Sequence, residues 1–280
     1  MNHFELVPLK NGVMSLRALE PRETFHPGVG PVEEATVLHV KQQRLVERCS
    51  ETENFQLWDV GFGAGANVIT ALRQLQKIDS SRGMTSVHSF DRTTAPMEFA
   101  LQNAKALGYP LGFETQVREL LERGRVQVGP RLSWELHLGD FSQQSQDSRL
   151  PAPHAIFYDP YSPVGNPEMW TVENFKNLLS KLNPERSCLL TNYTRSTRVR
   201  VSMLLAGFSV GVGCSVHEKD ETTIASNCLA SLTRPLGRAW LEKRVRVSHS
   251  AAPLRHGSYL SGPIGNADFE MLSGLPQFQG

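Results

Sequence analysis

The 280-residue chain has little cysteine, no excess of either charge and no long apolar run. Its four cysteines, Cys49, Cys188, Cys214 and Cys228, never stand at metal-ligand spacing, which argues against a zinc site. Their scatter through apolar segments suits buried, unbridged thiols in a reducing compartment. With 29 basic and 28 acidic residues the net charge is +1, so overall basicity does not advertise nucleic acid, and such binding must rest on a local patch. No stretch approaches the roughly 18 apolar residues of a membrane helix, and the first residues lack the basic and apolar regions of a secretion signal. These absences lead to the expectation of a cytoplasmic protein without membrane association.

What is present has the form of one α/β domain with appendages. Residues 4–19 alternate apolar and polar around Lys10-Asn11-Gly12, the signal of a hairpin with a two-residue type I′ turn. A loop rich in Pro and Gly runs from Pro21 to Pro31, and Glu33 to Arg48 reads as one helix. From Phe55 short apolar strands alternate with helices, the pattern of a parallel sheet covered on both faces. The spacing predicts seven strands: Gln56–Val60, Thr85–Phe90, Trp134–Leu138, Ala155–Tyr158, Ser187–Asn192, Phe208–Val216 and Thr222–Leu229. Ala66–Ile78 and the series Met97, Ala100, Leu101, Ala104 and Leu107 read as helices packed on that sheet. Only His217–Glu221 separates the last two strands, so they should form an antiparallel hairpin, an ending that distinguishes methyltransferases from most nucleotide dehydrogenases. The expected division is an N-terminal hairpin and helix over 1–50, a sheet domain over 51–235, and a basic, partly irregular extension over 236–280, poorly packed after about residue 250.

The segment Asp59-Val60-Gly61-Phe62-Gly63-Ala64-Gly65-Ala66-Asn67 follows a strand and opens a helix, the context in which glycines let backbone approach a nucleotide. Gly61, Gly63, Gly65 and Asn67 are therefore candidate cofactor contacts. Gly61, Gly63 and Ala66 also satisfy the looser dinucleotide fingerprint, so NAD competes with S-adenosylmethionine (SAM). Asp59 favours SAM, because a carboxylate there would repel a pyrophosphate, whereas SAM carries an ammonium and a sulfonium and no phosphate. Asp91 ends the second strand, placed to accept ribose hydroxyls, and Asp140 follows the third, where it can accept from an adenine amino group. Any one of these acids could instead cap a helix or turn. Their recurrence at successive strand ends, where open α/β sheets bind ligands, favours the binding role.

The fourth strand ends in Phe157-Tyr158-Asp159-Pro160-Tyr161-Ser162-Pro163, a loop stiffened by prolines and flanked by aromatic rings. If this strand adjoins the first, the loop borders the transferred methyl group. Asp159 could then orient an amine and take its proton, while Tyr158 or Tyr161 packs on a planar base. A structural turn with core tyrosines is the competing reading. Asp159-Pro160-Tyr161 is similar to the Asp-Pro-Pro-Tyr loop of nucleic-acid amino-methyltransferases, which points to a nitrogen acceptor.

Three segments together resemble the methyltransferase domain of the MnmC family, above all its stand-alone members without the flavin oxidase domain. They are Glu23-Thr24-Phe25-His26 with Gly30-Pro31-Val32-Glu33-Glu34, the glycine loop through Asn67, and Asp159 through Thr171. The resemblance spans about residues 4 to 235 and implies a Rossmann-like class I SAM-dependent methyltransferase fold. It further implies N-methylation of 5-aminomethyl-(2-thio)uridine at the tRNA wobble position, with recognition of the anticodon stem-loop. By the same resemblance Asp159 matches the family's active-site aspartate, and Glu34 matches an acid of the N-terminal segment that closes the site on the substrate. Without an oxidase domain, another enzyme would have to supply the aminomethyl precursor. The family's basic hairpin turn reads His217-Glu218-Lys219-Asp220-Glu221-Thr222 here, a departure that removes an expected RNA contact. The remaining candidates for phosphate contact are Arg195, Arg198 and Arg200 after the fifth strand, then Arg234, Arg238, Lys243, Arg244 and Arg246.

Overall fold

In the computed structural model, which describes residues 3–78, 83–216, 220–255 and 261–279, eleven strands form two sheets. The first is a small antiparallel sheet of β1 (Phe4–Pro8), β2 (Met14–Leu19) and β3 (Arg22–Thr24). The hairpin between β1 and β2 is present, but its connection is a five-residue loop, with Pro8 opposite Met14 and the Leu9 N–H donating to Val13 O. A type I′ turn needs positive φ at two residues, and of this pair only Gly12 adopts it, at +81°. Asn11 instead uses its side chain, accepting the Val13 N–H and donating to Val29 O. The third strand lies inside the segment expected to be loop, where a three-residue strand is too short to show a period.

The second sheet holds β4 (Asn54–Val60), β5 (Met84–Asp91), β6 (Arg125–Gln127), β7 (Leu132–Leu138), β8 (Ala155–Tyr158), β9 (Leu189–Asn192), β10 (Ser209–Val212) and β11 (Thr223–Ser226). Its order is β10-β11-β9-β8-β4-β5-β7-β6. The five strands β7, β5, β4, β8 and β9 are parallel, and β11 and β10 complete the edge as an antiparallel pair. All seven expected strands are there. The eighth, β6, pairs antiparallel with β7 and closes the other edge. It follows directly on the helix Glu114–Arg123 and Gly124 in a left-handed conformation, again too short for periodicity to reveal.

The expected helix over Glu33 to Arg48 is broken into Pro31–Ala35, the wide-turn segment Thr36–Lys41 and Leu45–Glu51, with Arg44 left-handed at φ +49° between them. The break lets buried polar groups reach the sheet. Gln43 Nε2 donates to Ile156 O at 2.9 Å and Thr191 Oγ1 at 2.8 Å, and His39 Nδ1 lies 2.8 Å from the same hydroxyl. A second helix is also interrupted, between Ala95–Gln102 and Ala104–Leu107, where the Asn103 side chain donates to Phe99 O.

The C-terminal segment is better packed than its composition suggests. Ala251, Leu254, Leu272 and Phe278 are all buried in the core beside Phe175 and Phe208, and Asn266–Ser273 is helical. Apolar anchors spaced far apart in the sequence give no periodic signal, although each buries fully. Cys49 and Cys188 are buried as expected, whereas Cys228 is exposed. No helix among the described residues is long and apolar enough to cross a membrane.

Candidate active site

The chain runs from β4 to β5 and β7 on one side, then returns to β8 on the other, so a topological switch falls between β4 and β8. A cleft of about 820 Å³ opens at the carboxyl ends of these strands. Main-chain pairing fixes its floor: the Asp159 N–H donates to Val60 O at 2.8 Å and the Gly61 N–H to Phe90 O at 3.0 Å. The glycine loop and the Asp159 loop are thereby neighbours, as the adjoining of the two strands requires.

Each glycine of the loop has its own reason. Gly61 sits at φ +92°, and a Cβ there would lie 2.5 Å from the Asp159 carbonyl oxygen. Gly63 donates its N–H to Asp91 Oδ2 at 2.8 Å, directly on the cleft wall. Gly65 precedes the helix Ala66–Leu75 and packs against Met97, away from the wall. It is not among the residues that line the cleft.

The four acids at the strand ends part company. Asp91 lines the cleft, with Oδ1 accepting the Arg92 N–H at 2.7 Å, and burial raises its carboxyl against the lowering effect of these backbone donors. Asp59 is buried behind the glycine loop, where Ser89 Oγ donates to it at 2.9 Å and Oδ1 has no partner. Burial pushes its carboxyl up to about 7. Asp140 takes the capping role: it accepts the Ser142 N–H at 2.9 Å at the start of Phe141–Gln144 and pairs with Arg92 at 2.6 Å, outside the cleft lining.

Asp159 is the acid at the centre. Asn67 Nδ2 donates to its Oδ2 at 2.5 Å from the first turn of the helix that follows the glycine loop. Burial, opposed chiefly by the neighbouring His26, holds its carboxyl at about 7. Glu34, buried on the N-terminal helix, faces His26 at 3.9 Å, and both line the cleft. Tyr161 also lines it, edge-on to Phe25 at 5.6 Å. Tyr158 does not: its ring is fully buried, its hydroxyl donates to Met169 O, and Asn174 donates to it at 2.8 Å. Tyr158 is the last residue of β8 and packs in the core, while Asp159, the first residue beyond the strand, lines the cleft at its carboxyl end. Trp170 stiffens the same loop by donating its indole N–H to Tyr161 O at 2.9 Å.

Several wall residues had no assigned role from sequence. Glu23 accepts both the backbone N–H and hydroxyl of Ser162, at 3.1 and 2.9 Å, tying the small sheet to the Asp159 loop. Phe25 closes over Gly63, within 3.2 Å of where its Cβ would stand. Arg92, Glu168 and Tyr193 complete the rim. The basic candidates divide sharply. Arg198 and Arg200 are buried, Arg200 against Glu221 at 2.8 Å and Thr222 O at 2.7 Å, whereas Arg195, Arg234, Arg238, Lys243, Arg244 and Arg246 are exposed. The helix of Arg198 and Arg200, Thr197–Leu205, packs against β10 and neighbouring helices, a burial that composition cannot show. Of the departing hairpin turn, His217 to Lys219 lie outside the described residues.

The wall fits SAM. Glu34, Asp91 and Asp159 present carboxyl groups to a cation, and the glycine loop leaves backbone bare for close approach, whereas a pyrophosphate would meet these acids unfavourably.

A family model described as S-adenosyl-L-methionine-dependent methyltransferase matches residues 113–228. The tRNA 5-methylaminomethyl-2-thiouridine biosynthesis bifunctional protein MnmC of Paraburkholderia xenovorans is 27% identical over 202 residues, 66% of this chain and 29% of that protein. Its namesake in Aeromonas hydrophila is 26% identical over 194 residues, 63% of this chain and 28% of that protein. The chain therefore spans less than a third of the length of these curated relatives. The crystal structure of MnmC2 from Aquifex aeolicus matches with a TM-score of 0.73 at 25% identity, covering 98% of this chain and 85% of that one. The acid-lined cleft at the switch point, the glycine loop on its floor and these matches together support an MnmC-type, SAM-dependent methyltransferase domain.

Proposed function

We propose that the chain methylates the amine of 5-aminomethyl-(2-thio)uridine at the wobble position of tRNA, giving the 5-methylaminomethyl form. The observation that carries this reading is Asp159, a hydrogen-bonded carboxyl group on the cleft wall between the glycine loop and Tyr161. When bound, SAM supplies an electrophilic methyl group on its sulfonium. Gly61 and Gly63 would clear room for it, and Asp91 would accept its ribose hydroxyls. Methyl transfer to nitrogen needs a free lone pair aligned in line with the breaking bond. Asp159 accepts an N–H of the amine, turns the lone pair toward the cofactor and takes up the proton released after transfer. Tyr161 and Phe25 present aromatic surface for the base, and Phe25 shields the glycine loop from water.

The names of the relatives support tRNA as acceptor. The anticodon stem-loop would dock on the exposed cations Arg238, Lys243 and Arg244, with Arg246 held by Glu242 at 3.3 Å and lying over the Phe269 ring. A separate enzyme supplies the aminomethyl precursor, and the reaction takes place in the cytoplasm. The burial of Arg198 and Arg200 removes two expected phosphate contacts and favours, as a second reading, an amine outside RNA.

Labelled methyl transfer from SAM to tRNA of a strain lacking the modification tests the proposal. Label in 5-methylaminomethyl-(2-thio)uridine, abolished by Asp159→Ala, is the expected result. Label appearing only in a small-molecule or protein fraction, or binding of NAD and not SAM by calorimetry, overturns it.

A further inference from the structure

Away from the cleft, the strands β5 and β7 carry a second cluster. Among the described residues, His88, Glu135 and His137 are the group whose ligand atoms all converge within 4.8 Å. Their convergence follows from register. His88 lies directly opposite Glu135 in the parallel pairing, and Glu135 and His137 are two residues apart on one strand, so all three project from the same face. His88 Nδ1 lies 3.0 Å from His137 Nε2, 3.8 Å from Glu135 Oε2, and His137 Nε2 lies 3.9 Å from that oxygen. An ion about 2.0–2.1 Å from each of three tetrahedral ligands sets them roughly 3.3–3.4 Å apart. The observed edges bracket that value.

The surroundings prepare the imidazoles as ligands. Gln56 Oε1 lies 3.3 Å from His88 Nε2; an amide oxygen can only accept, so this contact favours the tautomer with the proton on Nε2 and the lone pair on Nδ1, the atom nearest His137 and Glu135. A hydrogen bond from the far ring nitrogen to an oxygen acceptor is the usual support of a metal-bound histidine. His88 is buried, while His137 and Glu135 are partly exposed at 20% and 45%, which gives an ion both a rigid seat and a solvent-facing fourth position.

The geometry points to a binding site for one divalent transition-metal ion of the zinc type, held by His88 Nδ1, His137 Nε2 and Glu135 Oε2 and completed by water. Two imidazoles and one carboxylate suit zinc, nickel or copper better than calcium or magnesium, which prefer oxygen alone. The site is separate from the methyl-transfer cleft but touches it through one ring: His137 stacks on Phe90 at 4.9 Å, and Phe90 lines the cleft.

Titration of the chelator-treated full chain with zinc chloride, followed by calorimetry, tests the site, and cobalt substitution reports its geometry. One ion per chain is expected, with the intense visible absorption of four-coordinate cobalt. Glu135→Gln, a partly exposed change that leaves the fold intact, should weaken zinc binding by at least about tenfold, and Gln56→Ala should weaken it by a similar factor through His88. His137→Gln should abolish the cobalt spectrum. No zinc binding by the parent chain, or binding unchanged in both Glu135→Gln and His137→Gln, overturns the proposal, because the ion would then sit elsewhere. Circular dichroism of each variant establishes that a lost site is not a lost fold.

Discussion

Asn67 Nδ2 donates to Asp159 Oδ2 across 2.5 Å, joining the helix that leaves the glycine loop to the loop that leaves β8. In the proposed reaction, the contact would couple the segment that holds the cofactor to the acid that faces the acceptor. Asn67→Ala should therefore lower kcat for methyl transfer by about ten- to a hundredfold, since a misplacement near 1 Å costs on that order. The hydrogen bond lowers the proton affinity of Asp159, so its removal should also move the acidic limb of the rate profile upward in pH. Steady-state kinetics across pH checks both; an unchanged profile would mean that Asn67 does not act through Asp159.

The pH profile itself follows from Asp159. Its carboxyl titrates at about 7, and only the ionised form can take the proton of the amine. Plotted as kcat/KM, activity should rise with pH through about 7 in the free enzyme and level off above it, apart from titration of the substrate amine. Asp159→Asn should lose this inflection along with most of the activity.

Asp59 predicts a stability effect of defined sign. Burial raises its carboxyl to about 7, against about 3.9 in an unfolded chain. The folded state keeps a proton that the unfolded state releases, so stability is full below about pH 4 and falls as pH rises through 7. Asp59→Asn keeps the shape and the acceptor for Ser89 but removes the ionisation. Relative to the parent, the variant should gain up to about 4 kcal/mol between pH 4 and pH 8, measured by denaturant unfolding at both values. A difference independent of pH would contradict the assignment.

Gly61→Ala should be severe. Backbone at φ +92° is strained for alanine, and the added methyl would meet the Asp159 carbonyl oxygen at 2.5 Å. A loss of at least about 2 kcal/mol of stability is expected, with weaker SAM binding because the two loops must part. Thermal unfolding and calorimetry measure the two effects.

Arg200→Ala distinguishes a structural cation from an RNA contact. Its guanidinium is buried and bonded to Glu221, Thr222 O and Thr223 Oγ1. Removal should cost about 3 kcal/mol, at the low end for a broken buried pair because Glu221 is partly exposed. The salt dependence of tRNA binding should not change, whereas charge reversal at Arg238 and Lys243 should reduce it.

The parts legible in the sequence are those written in local period or local geometry. Alternation and apolar runs mark seven strands of the large sheet, and the glycine loop marks where a strand turns into a helix beside the cleft. Asp159 is legible because its neighbours, two prolines and flanking aromatics, make a stiff loop at a strand end. Tyr158 and Tyr161 look alike in sequence, yet one is core and one is wall, because strand alternation ends between them. Asp59, Asp91 and Asp140 likewise stand at matching strand ends and take three different roles, buried, facing the cleft and capping.

The sequence by itself determined the sheet's parallel core, the antiparallel ending and the position of the cofactor loop, since each rests on residues adjacent in the chain. Only the tertiary structure decided which acids face the cleft, that Glu23 and Phe25 close it from the small sheet, that Arg198 and Arg200 lie inside, and that His88 meets Glu135 and His137. The physical reason is common to all four. Each depends on packing between segments far apart in the chain, and in the strands also on pairing register, where a shift of one residue would turn the same side chain to the opposite face.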